Sequence, residues 1–457
     1  MTRISLLIFI TIITFSGLLF AQASDASLKA VIEKDRSSRT ADGRLMTLSA
    51  AEHLARGTVY FDNRSFPAAR EHFQKIVDNY RNDPAISSAL FMIGRSFYWE
   101  RNYKSCIPIL SRVANEFPGT KDGREGLYFQ ASCNVRLGKN AEAAPLFERY
   151  VTMYPTGERI DGAYLNAIDT LRESGRYDTA NEWVERTRTK FKGQPTETNA
   201  LHARLRMQIY RSMWADAVAT AALMEGQAKF PGSITTLDEV RYLRALALEK
   251  QGLKADAISI YAALADKQAS YFGYLAGDRI SKDRSRIKPT ARVRASDYPV
   301  MFREEVLQYA RKKKLDPRFL LAVMKQESTF RPGVKSPSAA RGLLQLVMDT
   351  ALKYSKKAGY GTIQPDDLYD PRINIAIGAE YIADLKAEFG GMYEAIAASY
   401  NGGEDNAARW LARSRPKDPA IFTSEVGFPE TKNYVQRVMT NYFNYQRLYD
   451  ENLSAKR

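Results

Sequence analysis

A recurrence of 37 residues constrains this chain more than any other feature. Phe66, Tyr103, Asn140, Tyr177 and Trp214 stand 37 residues apart, and Lys254 follows after 40. Three residues beyond each comes a small side chain: Ala69, Cys106, Ala143, Ala180, Ala217 and Ala257. Seven beyond comes Phe73, Leu110, Phe147, Val184, Ala221 or Tyr261. Steps of three and seven share one face of a helix. An aromatic closes the early units at Tyr80, Phe117, Tyr154 and Phe191, with Pro84, Pro118 and Pro155 close behind three of them. The small residue lets two helices approach, the larger one fills the groove, and Pro cannot continue the helix. The register predicts stacked helix-turn-helix units over about residues 51–262.

Gly57 and Gly94, with Tyr60 and Phe97 three residues on, resemble the first helix of tetratricopeptide repeats. The units here are about three residues longer than that family's, and later ones lose the Gly, so the resemblance is to a degenerate array.

Residues 1–23 read as an export signal. Arg3 is the lone early charge, Ile4 to Phe20 is apolar, and Ala21-Gln22-Ala23 fits a small-x-small cleavage site. An uncleaved anchor is the other reading, but the run sits at the low limit for a membrane span. No Cys follows it, which argues against a lipid anchor. Export predicts a periplasmic or extracellular protein, peripheral to the envelope. Lys and Arg number 67 against 52 Asp and Glu, an excess of +15 that favours anionic partners. Acidic cell-wall polymer and acidic lipid fit export, and nucleic acid does not. The longest basic run, Arg311 to Lys314, reads as a solvated helix face.

The two cysteines, Cys106 and Cys133, fall in adjacent repeat units. They are either a disulfide in an oxidising compartment or two buried thiols. The three histidines are His53, His72 and His202. From residue 203 onward there is neither His nor Cys. That excludes Ser-His-Asp and Cys-His catalysis and a His or Cys zinc site in the C-terminal half. Chemistry there must run on carboxylates, hydroxyls or amines.

The stretch from about 298 to 457 shows no alternating strand pattern. Expected helices are 300–313, 317–328, 340–357, 373–389, 392–399, 404–413 and 430–449. Asp316 and Pro317 suit the start of the second. Leu320, Val323, Met324 and Glu327 follow at i, i+3, i+4 and i+7, which puts one carboxyl on an apolar stripe. Desolvation raises the pKa of such an acid, and a protonated acid near neutral pH can serve a leaving oxygen. The plainer reading is a helix-terminal Glu that reaches solvent. Gln345 is polar inside an apolar run, and a buried amide needs partners. Tyr400-Asn401 ends an apolar helix before Gly402-Gly403, and Glu430 opens the last helix.

In this order the segments resemble the soluble lytic transglycosylases of bacterial cell walls. That family's pattern is an ES dipeptide, S-x-x-G-A-x-G-L-M-Q-L-M-P-x-T-A, A-Y-N-x-G and E-T-x-x-Y-V. The matches are Glu327-Ser328, Ser336, Ala340, Gly342-Leu343, Gln345-Leu346, Thr350-Ala351, Tyr400-Asn401, Glu430-Thr431 and Tyr434-Val435. Leu368 to Pro371, Asn374-Ile375, Gly378 and Tyr381 look like its middle segment. Departures are Ala339 for Gly, Leu344 for Met, and Val347-Met348 for Met-Pro.

The resemblance implies an all-α chain: an N-terminal helical-repeat superhelix followed by a lysozyme-like α-helical catalytic domain. The implied layout is a signal peptide (1–23), a linker or first helix (24–50), a solenoid (51–285), a connector (286–297) and a catalytic domain (298–457). It implies a peptidoglycan lyase acting on the bond between N-acetylmuramic acid and N-acetylglucosamine. Glu327 would protonate the glycosidic oxygen, the substrate's 2-acetamido group would stabilise the anomeric centre, and Glu327 would then deprotonate the muramoyl C6 hydroxyl. The product is a 1,6-anhydro ring. By the same resemblance Ser328, Ser336, Gln345, Val347, Tyr400 and Asn401 hold sugar, and Glu430 lines the cleft. No metal or organic cofactor is implied. Glycan strands are the expected partner, and repeat arrays also bind proteins, so other cell-wall proteins are candidates for the solenoid. The competing readings are a goose-type muramidase that uses water and a non-catalytic glycan-binding scaffold.

Overall fold

The computed structural model describes residues 26–266, 270–280 and 293–456. The export-signal stretch 1–23 and most of the 286–297 connector lie outside them. The chain is all-α: the described residues carry helices and a few isolated β-bridges, with no extended sheet among them. None of the described helices is long and apolar enough to cross a membrane. The contacts divide the chain into two compact units, 1–163 with 331–374, and 164–330 with 375–457. Helices α8 (Ile160–Glu173) and α18 (Pro371–Glu388) span the divisions.

The first unit begins with a helix over residues 26–37 (α1). Three antiparallel pairs follow: α2 (Ala50–Asp62) with α3 (Phe66–Asn79), α4 (Ala85–Trp99) with α5 (Tyr103–Glu116), and α6 (Lys121–Arg136) with α7 (Asn140–Met153). The repeat register lands on these boundaries. Phe66, Tyr103 and Asn140 each start a second helix, and Tyr80, Phe117 and Tyr154 each cap one. Ala69, Cys106 and Ala143 are fully buried, as are Phe73 and Leu110. Cys106 and Cys133 are disulfide-bonded between α5 and α6.

Helix spacing here is set by glycine. A Cβ on Gly57 would lie 2.6 Å from Phe73 Cε1, and one on Gly94 would lie 2.5 Å from Leu110 Cδ2. In each pair the bulky partner of the second helix occupies the space a side chain would need. The third unit carries Ala131 at this place, also fully buried.

Beneath α1 the two early histidines form a buried chain. Leu48 N–H donates to His53 Nε2 at 3.0 Å, which makes Nδ1 the protonated nitrogen of that ring. His53 Nδ1 then donates to His72 Nδ1 at 3.0 Å, and His72 Nε2 donates to Asp35 Oδ2 at 2.9 Å. Arg56 and Tyr60 complete the carboxylate's shell. Spacing along the sequence gave no sign of this meeting, because the partners come from three helices.

Segment 331–374 belongs to the same unit. Lys335 Nζ donates to Asn63 Oδ1, Arg64 pairs with Asp349 at 2.7 Å, and Lys29 pairs with Asp366 at 2.9 Å. The expected helix at 340–357 starts only at Met348 (α17, Met348–Ala358). Residues 335–346 instead fold into a compact loop, with Arg341 bridging both Lys335 and Leu346. Ala339, Gly342 and Gln345 all take left-handed backbone, which a helix cannot include.

The second unit holds α9 (Tyr177–Lys190), α10 (Pro195–Tyr210), α11 (Trp214–Gln227), α12 (Leu237–Lys250), α13 (Lys254–Ala265) and α14 (Tyr271–Arg279). Tyr177, Trp214 and Lys254 again start second helices. After them come α15 (Arg303–Lys313), α16 (Pro317–Ser328), α19 (Tyr393–Gly402), α20 (Glu404–Arg413), α21 (Pro419–Glu425) and α22 (Pro429–Leu448). Sequence periodicity did not signal α21, which has only 7 residues, about two turns. Its Asp418 cap, accepting from Ala420 N at 2.8 Å, is the local sign that was there to read.

Buried charge joins the repeat helices to the later ones inside this unit. Glu425 of α21 accepts from Arg172 at 2.6 Å and from Arg206 at 3.1 Å, and is ion-paired with Arg413 at 3.3 Å. Asp169 and Glu173 supply the remaining negative charge. Each of the three arginines is more than nine-tenths buried.

A Gly57→Val substitution must push Phe73 out of the groove between α2 and α3. It is expected to cost about 2–3 kcal/mol and to lower the Tm in thermal denaturation followed by circular dichroism. An unchanged Tm would mean that these helices do not pack through that contact.

Candidate active site

In the second unit the acid sits at the last turn of α16. Asp316 caps this helix by accepting from Arg318 N at 2.9 Å, and Tyr442 of α22 donates to the same carboxylate at 2.9 Å. Leu320, Val323 and Met324 are buried, so the apolar stripe packs as its spacing predicts. Glu327 continues that stripe and is half-buried. Immediately after Ser328 the chain turns through two consecutive left-handed residues, Thr329 at φ 51° and Phe330 at φ 60°. Both are costly for side chains of that size, and neither is glycine. The price is met where the chain leaves the acid.

Burial pushes the Glu327 carboxyl up to about 7; the Tyr434 hydroxyl opposes this by donating to it at 2.6 Å, and the Glu430 carboxylate adds to the rise. Tyr434 and Tyr400 both titrate well above their ordinary range, first through burial and then through the nearby Glu327 charge. They therefore remain phenols beside the acid. The Tyr381 ring packs 5.2 Å from that of Tyr400. One carboxyl thus titrates near neutral pH because of burial, and it is faced by hydroxyls that keep their protons.

The other predicted residues of this unit take distinct roles. Ser328 is buried, and its hydroxyl donates to the Met324 carbonyl at 3.2 Å, closing the helix end. Asn401 is exposed, and its Oδ1 accepts from Thr431 Oγ1 at 2.6 Å. Its amide nitrogen is left to face outward as a donor. Glu430 is exposed at the start of α22.

Ser336, Gln345 and Val347 lie in the first unit. Ser336 Oγ accepts from Ala340 N at 3.1 Å and holds the loop turn. Gln345 spends both amide hydrogens on backbone, donating to Val334 O at 3.0 Å and Gly342 O at 2.8 Å. Its amide oxygen is what remains for a ligand. The partners expected for this polar residue are therefore supplied in part by its own loop. Val347 is half-buried just ahead of α17.

Asn374 fixes this loop. It donates to Arg341 O at 3.0 Å and to Leu368 O at 2.8 Å, and accepts from Leu344 N at 2.8 Å. A Cβ on Gly342 would lie 2.3 Å from its Nδ2 and 2.1 Å from Leu368 O, and Gly342 also has φ +79°. Only glycine fits there. Ala339, at φ 59°, stands where the related pattern has Gly, so this chain carries a methyl in backbone that favours none.

Sequence reasoning named Asn374 and Tyr434 as matches but gave neither a role. It missed Glu394, a buried acid at the start of α19 whose carboxyl burial also pushes up to about 7 and which Tyr271 contacts at 3.2 Å. An isolated Glu in an apolar helix start was its only signal.

Comparison with known proteins agrees with this geometry. Residues 304–422 match the Transglycosylase SLT domain, and residues 88–120 match a tetratricopeptide repeat. The soluble lytic murein transglycosylase of Escherichia coli K12 is 32% identical over 154 residues, which cover 32% of this chain and 24% of that protein. A putative soluble lytic murein transglycosylase of Haemophilus influenzae is 34% identical over 131 residues, covering 28% and 22%. The chain thus spans about a quarter of the length of the curated relatives it matches. In fold it is similar to an inactive mutant of a lytic transglycosylase from Pseudomonas aeruginosa, with a TM-score of 0.52 at 16% identity over 87% of this chain and 79% of that one. It is likewise similar to a 70-kDa soluble lytic transglycosylase in complex with bulgecin A, with a TM-score of 0.51 at 17% identity over 96% and 90%. Segment 304–422 of this chain is thus similar to the Transglycosylase SLT domain, behind helical repeats of which residues 88–120 are similar to a tetratricopeptide repeat.

Proposed function

We propose that this chain is a peptidoglycan lytic transglycosylase of the periplasm that cleaves glycan strands to 1,6-anhydromuramic ends. The observation that carries the reading is the Glu327 carboxyl on an apolar stripe under the Tyr434 hydroxyl, where burial raises its pKa to about 7. A neutral carboxyl can give its proton to the glycosidic oxygen as the bond breaks. The carboxylate left behind can then take the proton of the muramoyl C6 hydroxyl, whose oxygen attacks the anomeric carbon. The internal nucleophile is favoured over water by its high effective concentration. Asn401, Gln345, Ser336, Val347 and Tyr400 are the proposed sugar contacts, with Ser328 closing the helix behind the acid. Residues 298–457 are the proposed catalytic domain and 51–285 the solenoid, which is also the surface for any cell-wall protein partner. The sequence of residues 1–23 supports export.

A second reading rests on Glu430. Its carboxylate stands near enough to raise Glu327, and a second carboxylate is what a water-using glycosidase requires. Digestion of purified sacculi separates the two. Muropeptides lighter by one water than their lysozyme counterparts are expected; reducible muramic ends would make the enzyme a hydrolase. Glu327→Gln is expected to lower activity at least about a thousandfold, and a variant that lyses normally removes Glu327 from the chemistry.

Turnover needs the protonated acid, so kcat is expected to fall as pH rises through about 7. The same shift has a stability consequence. The folded-state pKa lies above the unfolded one, so the folded chain binds more protons between them and loses stability as pH rises through that window. Glu327→Gln cannot ionise. Its Tm is expected to exceed the wild-type value by roughly a few degrees above about pH 7 and to match it near pH 4. Scanning calorimetry at the two pH values checks this, and equal Tm values at high pH would show that Glu327 ionises without cost.

A further inference from the structure

The first two turns of α22 carry four side chains with four different attachments. Glu430 faces the acid, Thr431 donates to Asn401, and Tyr434 donates to Glu327. The remaining one, Lys432, points away from the site and is 1% exposed. Its ammonium donates to Glu239 Oε1 at 2.9 Å and to Ser424 O at 3.0 Å. Glu239 belongs to the repeat helix α12 and is 0% exposed. His202 of α10 meets the same oxygen at 2.8 Å. A carboxylate only accepts, so His202 Nε2 carries a proton, and burial lowers the ring's pKa to about 4, which leaves it neutral, with Ser424 Oγ 3.0 Å from that nitrogen.

We infer that Glu239, in the helical-repeat region, is a positioning residue for the reaction. Through Lys432 it fixes the first turn of α22, and so sets where the Tyr434 hydroxyl and the Glu430 carboxylate stand against Glu327. This rests on the transglycosylase reading for the role of Glu327.

The argument is one of geometry and desolvation. A buried ammonium without its carboxylate is intolerable, so Lys432 cannot leave Glu239 while both are buried. Lys432 and Tyr434 are two residues apart on one helix, and a rigid turn carries a displacement of one to the other. The repeat helices here do more than support the catalytic helices: they supply one end of a lever whose other end is the hydroxyl on the acid. The groups that face Glu327 are Tyr434 and Glu430 from α22 and Tyr400 from α19, with Tyr381 of α18 behind Tyr400. Only the first two ride on the turn that Lys432 holds.

The test uses the full chain and lysis of purified sacculi, with kcat and KM followed against pH. Glu239→Gln leaves the ammonium unpaired and is expected to lower kcat about tenfold to a hundredfold with KM within about twofold. Weakening the Tyr434 hydrogen bond removes a contact that favours the ionised acid, so the alkaline limb of kcat moves to higher pH. Because Glu239→Gln can fail to fold, the double variant Glu239→Gln/Lys432→Met is made beside it. It removes both buried charges, a change that buried pairs often tolerate, and so is expected to keep a wild-type Tm while retaining the lower kcat and the moved limb. A double variant with wild-type kcat and pH profile overturns the inference, as does a loss of activity that only tracks the folded fraction. Failure of wild-type protein to release anhydro muropeptides instead overturns the transglycosylase reading, whatever the variants do.

Discussion

Charge taken out of water has to be paired, and the second unit is built around that demand. Glu425 alone collects three arginines, and Glu239 collects a lysine and a neutral histidine. The partners come from α8, α10 and α12 on one side and from α20, α21 and α22 on the other. Removing one partner strands a charge, at a cost of several kcal/mol. These pairs tie the repeat helices α8, α10 and α12 to the later helices α20, α21 and α22 within this unit. Apolar packing alone would accept several neighbouring registers. The ionic cluster selects among them, and α16 and α22 meet in the alignment that sets a tyrosine hydroxyl on Glu327.

The acid depends on the opposite treatment. It is buried without a cation, beside phenols and another carboxylate, and so retains its proton near neutrality. The two kinds of burial sit two residues apart on α22, where Lys432 is matched by a carboxylate and Tyr434 meets one whose pKa is raised. An active-site acid of this sort is a standing instability, tolerated because the paired charges nearby hold its surroundings in place.

Local periodicity made the repeat helices readable almost to the residue. Phe66, Tyr103 and Tyr177 open helices because a helix has to present Ala69, Cys106 and Ala180 to its neighbour at a fixed phase. The acid was readable for the same reason, as a carboxyl in phase with Leu320, Val323 and Met324. The loop at 335–346 was not, because its apolar run mimics a helix and its left-handed residues include Ala339 and Gln345, which carry no local signal for that backbone. The histidine chain and the Glu239–Lys432 pair were also hidden, since partners 19 and 193 residues apart leave no periodic trace. Resemblance picked out positions in this stretch, but the part each plays in bracing the backbone follows only from its hydrogen bonds. Ser328 and Ser336 both spend their hydroxyl oxygens on the main chain.

The pairing of Gly342 with Asn374 restricts how this protein can diversify. The amide uses its two donors and its acceptor on three separate backbone groups, and the missing side chain of Gly342 is the space that amide fills. A larger residue at one position cannot be accommodated by a smaller one at the other, since the lost hydrogen bonds would remain unmade. The two sites are thus locked together, and the loop around Gln345 has little freedom to be reshaped by single steps. Val347 and Met348, at the start of α17, take no part in the Asn374 hydrogen bonds. They are two of the four positions in this stretch, with Ala339 and Leu344, at which the sequence departs from the pattern it resembles.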